Sequence, residues 1–280
     1  MMIQGTSGPG FAAAGGRTSR TLGRTSKQLK KILERLSTAQ RINRSSDDAA
    51  GLSISEQLRS QARGFATASN NVSDALSALR IAEGAADEVT DMLQRGRELS
   101  LQARSDTLTD EQREMIDQEV QHIVAEVDRI AQGTQFNTQE VADGTGLASG
   151  AAVVQAGANE GETLTLPSFD LTTANIGVDN VSAATAEGAA DAMGAFDDAL
   201  NEVNSQRSGV GAMMNRLDSA QNNLSVASIN TVAAESLLRD QDMAAGLVDL
   251  TRERLLMEGG TNAFKRFNDI SASHIMSLLQ

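Results

Sequence analysis

Leu22, Leu29, Leu33 and Leu36 are spaced by seven, four and three, which places them on one face of a helix. The stretch from Arg41 to Gly51 breaks that rhythm. Its Asn43, Ser45, Ser46, Asp47 and Asp48 read as an irregular link carrying helix-start chemistry. Steps of three and four return at Val72, Leu76, Leu79, Ala82, Ala86, Val89 and Leu93, and predict a helix reaching about Arg104. Counted from Ala66, it would be roughly 55–60 Å long at about 1.5 Å per residue. Ser105 to Asp110 interrupts the pattern, and Thr109 with Gln112 three residues on forms a capping box. Ile116, Val120, Ile123, Val127 and Ile130 then keep the four-three rhythm of a coiled-coil seam. Two such helices joined by a short turn are expected to lie antiparallel.

From Gly133 to about Ala184 the periodicity is lost, and Gly, Asn, Thr and Ser become frequent. Alternation across Glu162-Thr163-Leu164-Thr165-Leu166 predicts one or two short β-hairpins there. Helical spacing resumes near Ala186. Phe196, Val203, Val210, Leu217 and Leu224 are each seven apart, with Leu200, Met213 and Ala220 in the second seam position, so a long rod-like helix is expected. Gly209 and Gly211 should weaken it by about 1 kcal/mol each relative to Ala. A last segment carries Met243, Leu247, Leu250, Leu255, Phe264, Phe267 and Ile270, then an apolar tail through Ile275 and Leu278. Such a terminus requires a partner. The first and last helices are both amphipathic and neither has a local neighbour of its own length. The economical solution packs them against each other and then against other copies. The fold class is therefore mainly α: a long coiled-coil-like helical bundle formed by the N- and C-terminal halves, with a small β-hairpin region.

Composition narrows the chemistry. The seven Phe are the whole aromatic content, so aromatic-lined ligand pockets are poorly supplied, whereas narrow helical seams need few aromatics. Cysteine is absent, which excludes thiol catalysis, disulfides and zinc–thiolate sites. No apolar run approaches the ~20 residues of a membrane span. The opening MMIQGTSGPGFAAAGG lacks the layout of a cleaved secretory signal, so the protein either stays in the cytoplasm or leaves by a route that removes no signal. Asp47 and Asp48 have no accompanying His, Lys or Ser pattern and read as helix caps rather than an acid–base pair. His122 and His274 form no metal-ligand spacing. No enzyme, cofactor or metal is implied. Net charge is −13, yet residues 1 to 44 carry nine Lys or Arg against Glu34 alone. A basic arm on an acidic body suits nucleic acid, anionic lipid or an acidic protein surface. The arm has a single Phe and no Gly-rich phosphate loop, which disfavours nucleic acid.

ERLSTAQRINRSSDDAAGLSISEQLRS at 34 to 60 closely resembles the N-terminal signature of bacterial flagellin. LQRGRELSLQA at 93 to 103, EVDRIAQGTQFN at 126 to 137 and QAGANEGETLTL at 155 to 166 resemble further flagellin segments. NRLDSAQNNLS at 215 to 225, LLRDQDMAAGLVDLTRERLL at 237 to 256 and the terminal SLLQ follow in the same order. The resemblance covers roughly residues 22 to 280, and it implies a subunit of the flagellar filament, secreted without a cleaved signal through the flagellum's own type III export channel. It implies that residues 1–46 and 237–280 are two halves of an inner-tube domain. Leu22, Leu29, Leu33 and Leu36 would pack there with Leu247, Leu250, Phe264, Ile275 and Leu278. Residues 47–236 would form the surrounding helical shell, with the β region at about 133–184. Only about 20 residues separate Leu166 from Ala186, so the family's variable outer domains must be absent.

The implied partners are the chain itself in a helical homopolymer, other flagellins, hook-junction and filament-cap proteins, and an export chaperone at the C-terminus. Nucleic acid and membrane are not among them. Arg95, Leu99 and Glu119 match flagellin positions that a vertebrate innate immune receptor contacts, and their primary role is expected to be in subunit contacts. The hook–filament junction protein, which shares the helical ends, is the alternative identity. Two segments depart from the family's pattern. One is the Gly-rich, basic stretch at residues 1–21, and the other is Gly259 to Asn268 with Lys265 and Arg266.

Overall fold

The computed structural model describes the backbone over residues 9–278. It describes the side chains over 15–270 together with Ala272, Ser273 and Met276. The helices are α1 (Pro9–Thr38), α2 (Ala49–Ala103), α3 (Asp110–Gly133), α4 (Thr173–Ile176), α5 (Ala186–Arg239) and α6 (Met243–Leu278). Between α3 and α4 lie β1 (Gln135–Phe136), β2 (Gln139–Glu140), a 3₁₀ turn at Gly146–Ala148, β3 (Val153–Gln155) and β4 (Thr163–Thr165). The chain divides into two compact units: residues 60–230, and residues 1–59 with 231–280.

In the 60–230 unit the heptad residues make the core. Phe196, Val203, Val210 and Leu217 of α5 are fully buried, as are Val72, Val89 and Leu93 of α2 and Val120 and Val127 of α3. α2 and α5 run antiparallel, and polar ties repeat along their length. Gln221 Nε2 donates to Ser69 Oγ (2.8 Å), Arg207 reaches Glu83 and Asp87 (both 2.6 Å), and Arg97 Nε donates to Asp197 (2.5 Å). Gly209 and Gly211 leave α5 unbroken, because the burial of Val210 and its neighbours outweighs a propensity cost of about 1 kcal/mol each. Gly96 of α2 faces the Phe196 ring. A Cβ at that position would sit 2.6 Å from Cζ, so the glycine makes room for the largest side chain of the α5 seam.

α2 begins at Ala49, well before the first periodic residue of the sequence pattern. The Asp48 carboxylate accepts from the Gly51 amide at 2.9 Å and caps the start. In its early turns Ser55 is fully buried, with its hydroxyl donating to the Leu52 carbonyl. At the other end, Thr109 and Gln112 make the reciprocal capping box of α3. The Arg113 guanidinium fastens the turn from α2, donating to the carbonyls of Ala103 (2.9 Å) and Ser105 (3.0 Å) and pairing with Asp110 (3.1 Å).

The β region consists of two antiparallel hairpins, β1–β2 and β3–β4. β1 and β2 are joined by Asn137 and Thr138, both with positive φ. The loops that follow are clipped to α3 by three of its polar residues. The Asp117 carboxylate accepts from the Ala183 amide (2.6 Å), Gln121 Nε2 donates to the Val181 carbonyl (2.7 Å), and Asp128 accepts from the Thr173 hydroxyl (3.1 Å). Spacings of four and seven put all three on one face of α3. Their role depends on partners far along the chain.

Candidate functional site

The terminal unit is built on an antiparallel pair, α1 against α6. Three close approaches fix its register. A Cβ on Gly246 would lie 2.8 Å from Leu36, one on Gly260 2.8 Å from Leu22, and one on Gly15 2.8 Å from the Phe267 ring. The steps between these contacts are whole heptads on both helices, so the two faces run in step from one end to the other. The α1 face is Gly15, Thr18, Leu22, Thr25, Leu29, Ile32 and Leu36. The α6 face is Gly246, Leu250, Glu253, Met257, Gly260, Phe264 and Phe267. All of these are buried or half-buried. Glycine on one helix receives a large side chain from the other, which lets the backbones come close and hold their register.

Of the residues picked from sequence, the structure gathers Leu22, Leu29, Leu36, Leu250 and Phe264 on this seam. Leu33 and Leu247 stand off it, 43% and 53% exposed. Ile32 takes the place beside Leu29 and Leu36, completing steps of three and four that the leucine-only pattern skipped. The side chains of Ile275 and Leu278 lie outside the described residues. Sequence reasoning also missed Gly246 and Gly260, since a glycine shows as a seam residue only when its partner is known.

Where the two ends of the chain pass each other, backbone bonds tie them. The Arg41 amide donates to the Arg239 carbonyl (2.7 Å), and the Gln241 amide donates to the Ala39 carbonyl (2.9 Å). The Arg41 guanidinium adds a bond to the Leu238 carbonyl (2.6 Å), and Arg239 pairs with Glu56 (2.8 Å). Ile42 is the apolar anchor of this crossing, 1% exposed. Asp47 organises the loop: it pairs with Lys31 at 2.7 Å and accepts from the amides of Asn43 and Arg44. The Lys31 ammonium, helped by those two amides, holds the Asp47 carboxyl below the usual carboxylate range against the opposing effect of burial. Hydrogen bonding from Arg239 lowers Glu56 likewise. Asp242 caps α6 through the Ala244 and Ala245 amides. Asp47 and Asp48 are thus both committed to backbone amides.

The pair leaves much apolar surface uncovered. On α6, Leu247, Val248, Leu255, Leu256, Ile270 and Met276 are each half or more exposed. Three polar atoms in the same unit, Arg35 Nε, Arg239 Nε and Glu253 Oε2, are buried without a hydrogen-bond partner among the described residues. In the 60–230 unit, Arg95 and Glu119 pair across α2 and α3 at 2.9 Å on an exposed surface. Leu99 is buried in the core below them, 2% exposed. An open groove of about 390 Å³ runs between Phe65, Leu164 and Leu224. Its one carboxylate, Glu162, is engaged by Asn159. Among the described residues no three His, Cys, Asp or Glu side chains converge to hold a metal. No described helix is long and apolar enough to cross a membrane.

Residues 13–146 match the bacterial flagellin N-terminal helical region, and residues 193–279 match the bacterial flagellin C-terminal helical region. The chain is 37% identical over 276 residues to a flagellar filament 31.3 kDa core protein of Treponema maltophilum, covering 94% of this chain and 96% of that one. It is 41% identical over 242 residues to a flagellin of Halalkalibacterium halodurans, covering 85% and 87% of the two chains. Among solved structures, the Bacillus cereus flagellin crystal structure aligns with a TM-score of 0.50 and 29% identity, over 55% of this chain and 88% of that one. With both terminal helical regions matched, and a relative more than one-third identical along nearly the whole length, the chain belongs to the bacterial flagellin family.

Proposed function

We propose that this chain is the structural subunit of a bacterial flagellar filament, working outside the cell as a self-assembling polymer for motility. One observation carries the reading furthest: after α1 and α6 have paired, α6 still presents Leu247, Val248, Leu255, Leu256, Ile270 and Met276 to solvent. Burying apolar surface is worth about 25 cal/mol per Å², and a second copy of the same surface is the partner always at hand.

In this reading the α1–α6 pair is the subunit's share of an inner tube, and the α2, α3 and α5 bundle is its share of the enclosing shell. The relative from T. maltophilum is named as a filament core protein, and the chain matches it along nearly its entire length, so the same role transfers here. Residues 133–185 hold only two small hairpins, a 3₁₀ turn, one short helix and loops, which makes this a minimal subunit without outer domains. The exposed apolar face of α6 would need masking before assembly. That supports export through the flagellar type III channel with a chaperone on the C-terminal helix. Hook-junction and cap proteins at the filament ends, and other flagellins along it, are partners of the same kind. Arg95 and Glu119 would serve in shell contacts between subunits, with Leu99 packing beneath them. Engagement of a vertebrate innate receptor would be a secondary use of that surface.

Electron microscopy of purified subunit with short filament seeds, beside a version lacking residues 245–280, tests the reading. Filaments from the full chain alone are expected. Filaments from both would remove α6 from the mechanism, and filaments from neither would return the chain to the junction-protein alternative.

A further inference from the structure

The charge of the molecule is divided between its two units. Residues 1–59 and 231–280 hold 15 basic and 11 acidic side chains, a net of +4, whereas residues 60–230 hold 9 basic and 26 acidic, a net of −17. On α1 the positive charge is ordered. Arg17, Arg20, Arg24, Lys27 and Lys31 follow one another by steps of three and four, all exposed, on the face turned away from the α6 seam. No acidic residue precedes Glu34. Lys31 is engaged by Asp47, but the other four have no ion pair among the described residues. This basic row is roughly 21 Å long at about 1.5 Å per residue.

A row of opposite sign and matching length lies on α5. Glu187, Asp191, Asp198 and Glu202 are exposed and spaced by four, seven and four, a span of roughly 22 Å. Nothing offsets them locally, for no Lys or Arg occurs between Arg129 and Arg207. The nearby Asp197 is the one acid of this segment that is paired, with Arg97. Like charges held in a row on a helix repel one another, so each row is costly by itself and gains from facing the other.

We propose that the basic outer row of α1 in one copy docks along the acidic row of α5 in another, as a contact between the inner tube and the shell of the polymer. The inference rests on the filament reading above. Two different patches that attract each other make a head-to-tail contact, which extends without closing and therefore suits an open helical polymer. The contact is separate from the apolar pairing of α1 with α6, because the basic row is on the far side of α1. It supplies register and recognition, which is what complementary charge does best at an interface.

The test measures the critical concentration for seeded polymerisation of the full chain, with circular dichroism confirming that each variant folds. Arg20→Glu with Arg24→Glu takes the net charge from −13 to −17. Asp191→Lys with Asp198→Lys takes it from −13 to −9. Each pair of changes turns attraction into repulsion at two points and is expected to raise the critical concentration roughly tenfold. If overall charge alone governed assembly, the second variant would polymerise more readily than the wild type, and that outcome would overturn the proposal.

Combining all four changes restores the net charge and the complementarity, and is expected to bring the critical concentration back. Mixing the two impaired variants one to one is expected to rescue assembly as well, because each can then meet an oppositely charged neighbour. Rescue by the combined variant without rescue by mixing would place the contact inside one chain and refute docking between copies. Binding of phosphatidylserine vesicles or a single-stranded oligonucleotide that depends on Arg20 and Arg24, with polymerisation unchanged, would assign the row to those ligands instead. Wild-type chain that forms no filaments on seeds would fail the filament reading itself, which this control separates from the docking proposal.

Discussion

Gly96→Ala changes one atom and should reveal how tightly the core of the 60–230 unit is packed. Alanine is favoured over glycine inside a helix by about 1 kcal/mol. Gly84, on the same α2, shows what that gain is worth in the open, because a Cβ there meets nothing within 4 Å. At Gly96 the new Cβ would lie 2.6 Å from Cζ, 2.7 Å from Cε1 and 3.1 Å from Cε2 of Phe196. The ring is fully buried and cannot swing aside without displacing its neighbours. Overpacking of this kind costs about 1–3 kcal/mol. Gly84→Ala is therefore expected to stabilise the chain by about 0.5–1 kcal/mol, and Gly96→Ala to destabilise it by about 1 kcal/mol net. Urea unfolding followed by far-ultraviolet circular dichroism reads both against the wild type. Phe196→Leu removes the three ring atoms responsible, so in that background Gly96→Ala should become favourable by about 1 kcal/mol. Equal stabilisation at the two glycines, or no change of sign in the Phe196→Leu background, would refute the ring contact as the reason for glycine at 96.

Arg113→Lys should cost about 1.5–3 kcal/mol in the same assay, because an ammonium cannot replace a planar guanidinium that reaches two carbonyls and a carboxylate at once; a neutral result would show that the turn holds without it. Thr138 is β-branched with φ of 65° in a two-residue hairpin turn. Thr138→Gly should therefore raise stability by about 1 kcal/mol, and a loss would mean that the hydroxyl outweighs the strain. Asp47 titrates below its ordinary value when folded, so its contribution is complete above the unfolded pKa of about 4 and is lost as pH falls through the folded one. Asp47→Asn should lower stability at neutral pH and flatten the acid limb of the stability profile; an acid limb as steep as that of the wild type would contradict the assignment.

The helices, and most of the core of the 60–230 unit, were legible in the spacing of apolar residues along the chain. Heptads at Phe196 to Leu224 and the four-three series at Val72 to Leu93 and Ile116 to Ile130 state their faces locally, because helical burial depends on spacing along one segment. The capping box at Thr109 was equally legible, since all of its atoms lie within four residues. The contacts whose partners are far apart in the chain could not be read that way. Gly96, a residue that by propensity alone disfavours a helix, is a fitted contact because Phe196 lies across from it. Gly15, Gly246 and Gly260 became seam residues only when α1 and α6 were set in register. Leu33 and Leu247 fit a coarse apolar count, yet they stand outside the seam that Ile32 and Gly246 complete. Likewise the excess of positive charge at the start of the chain was evident in the sequence, but its arrangement as one exposed row opposite the seam was not. Periodicity names the face of a helix, and a second helix must be placed before it is known what that face touches.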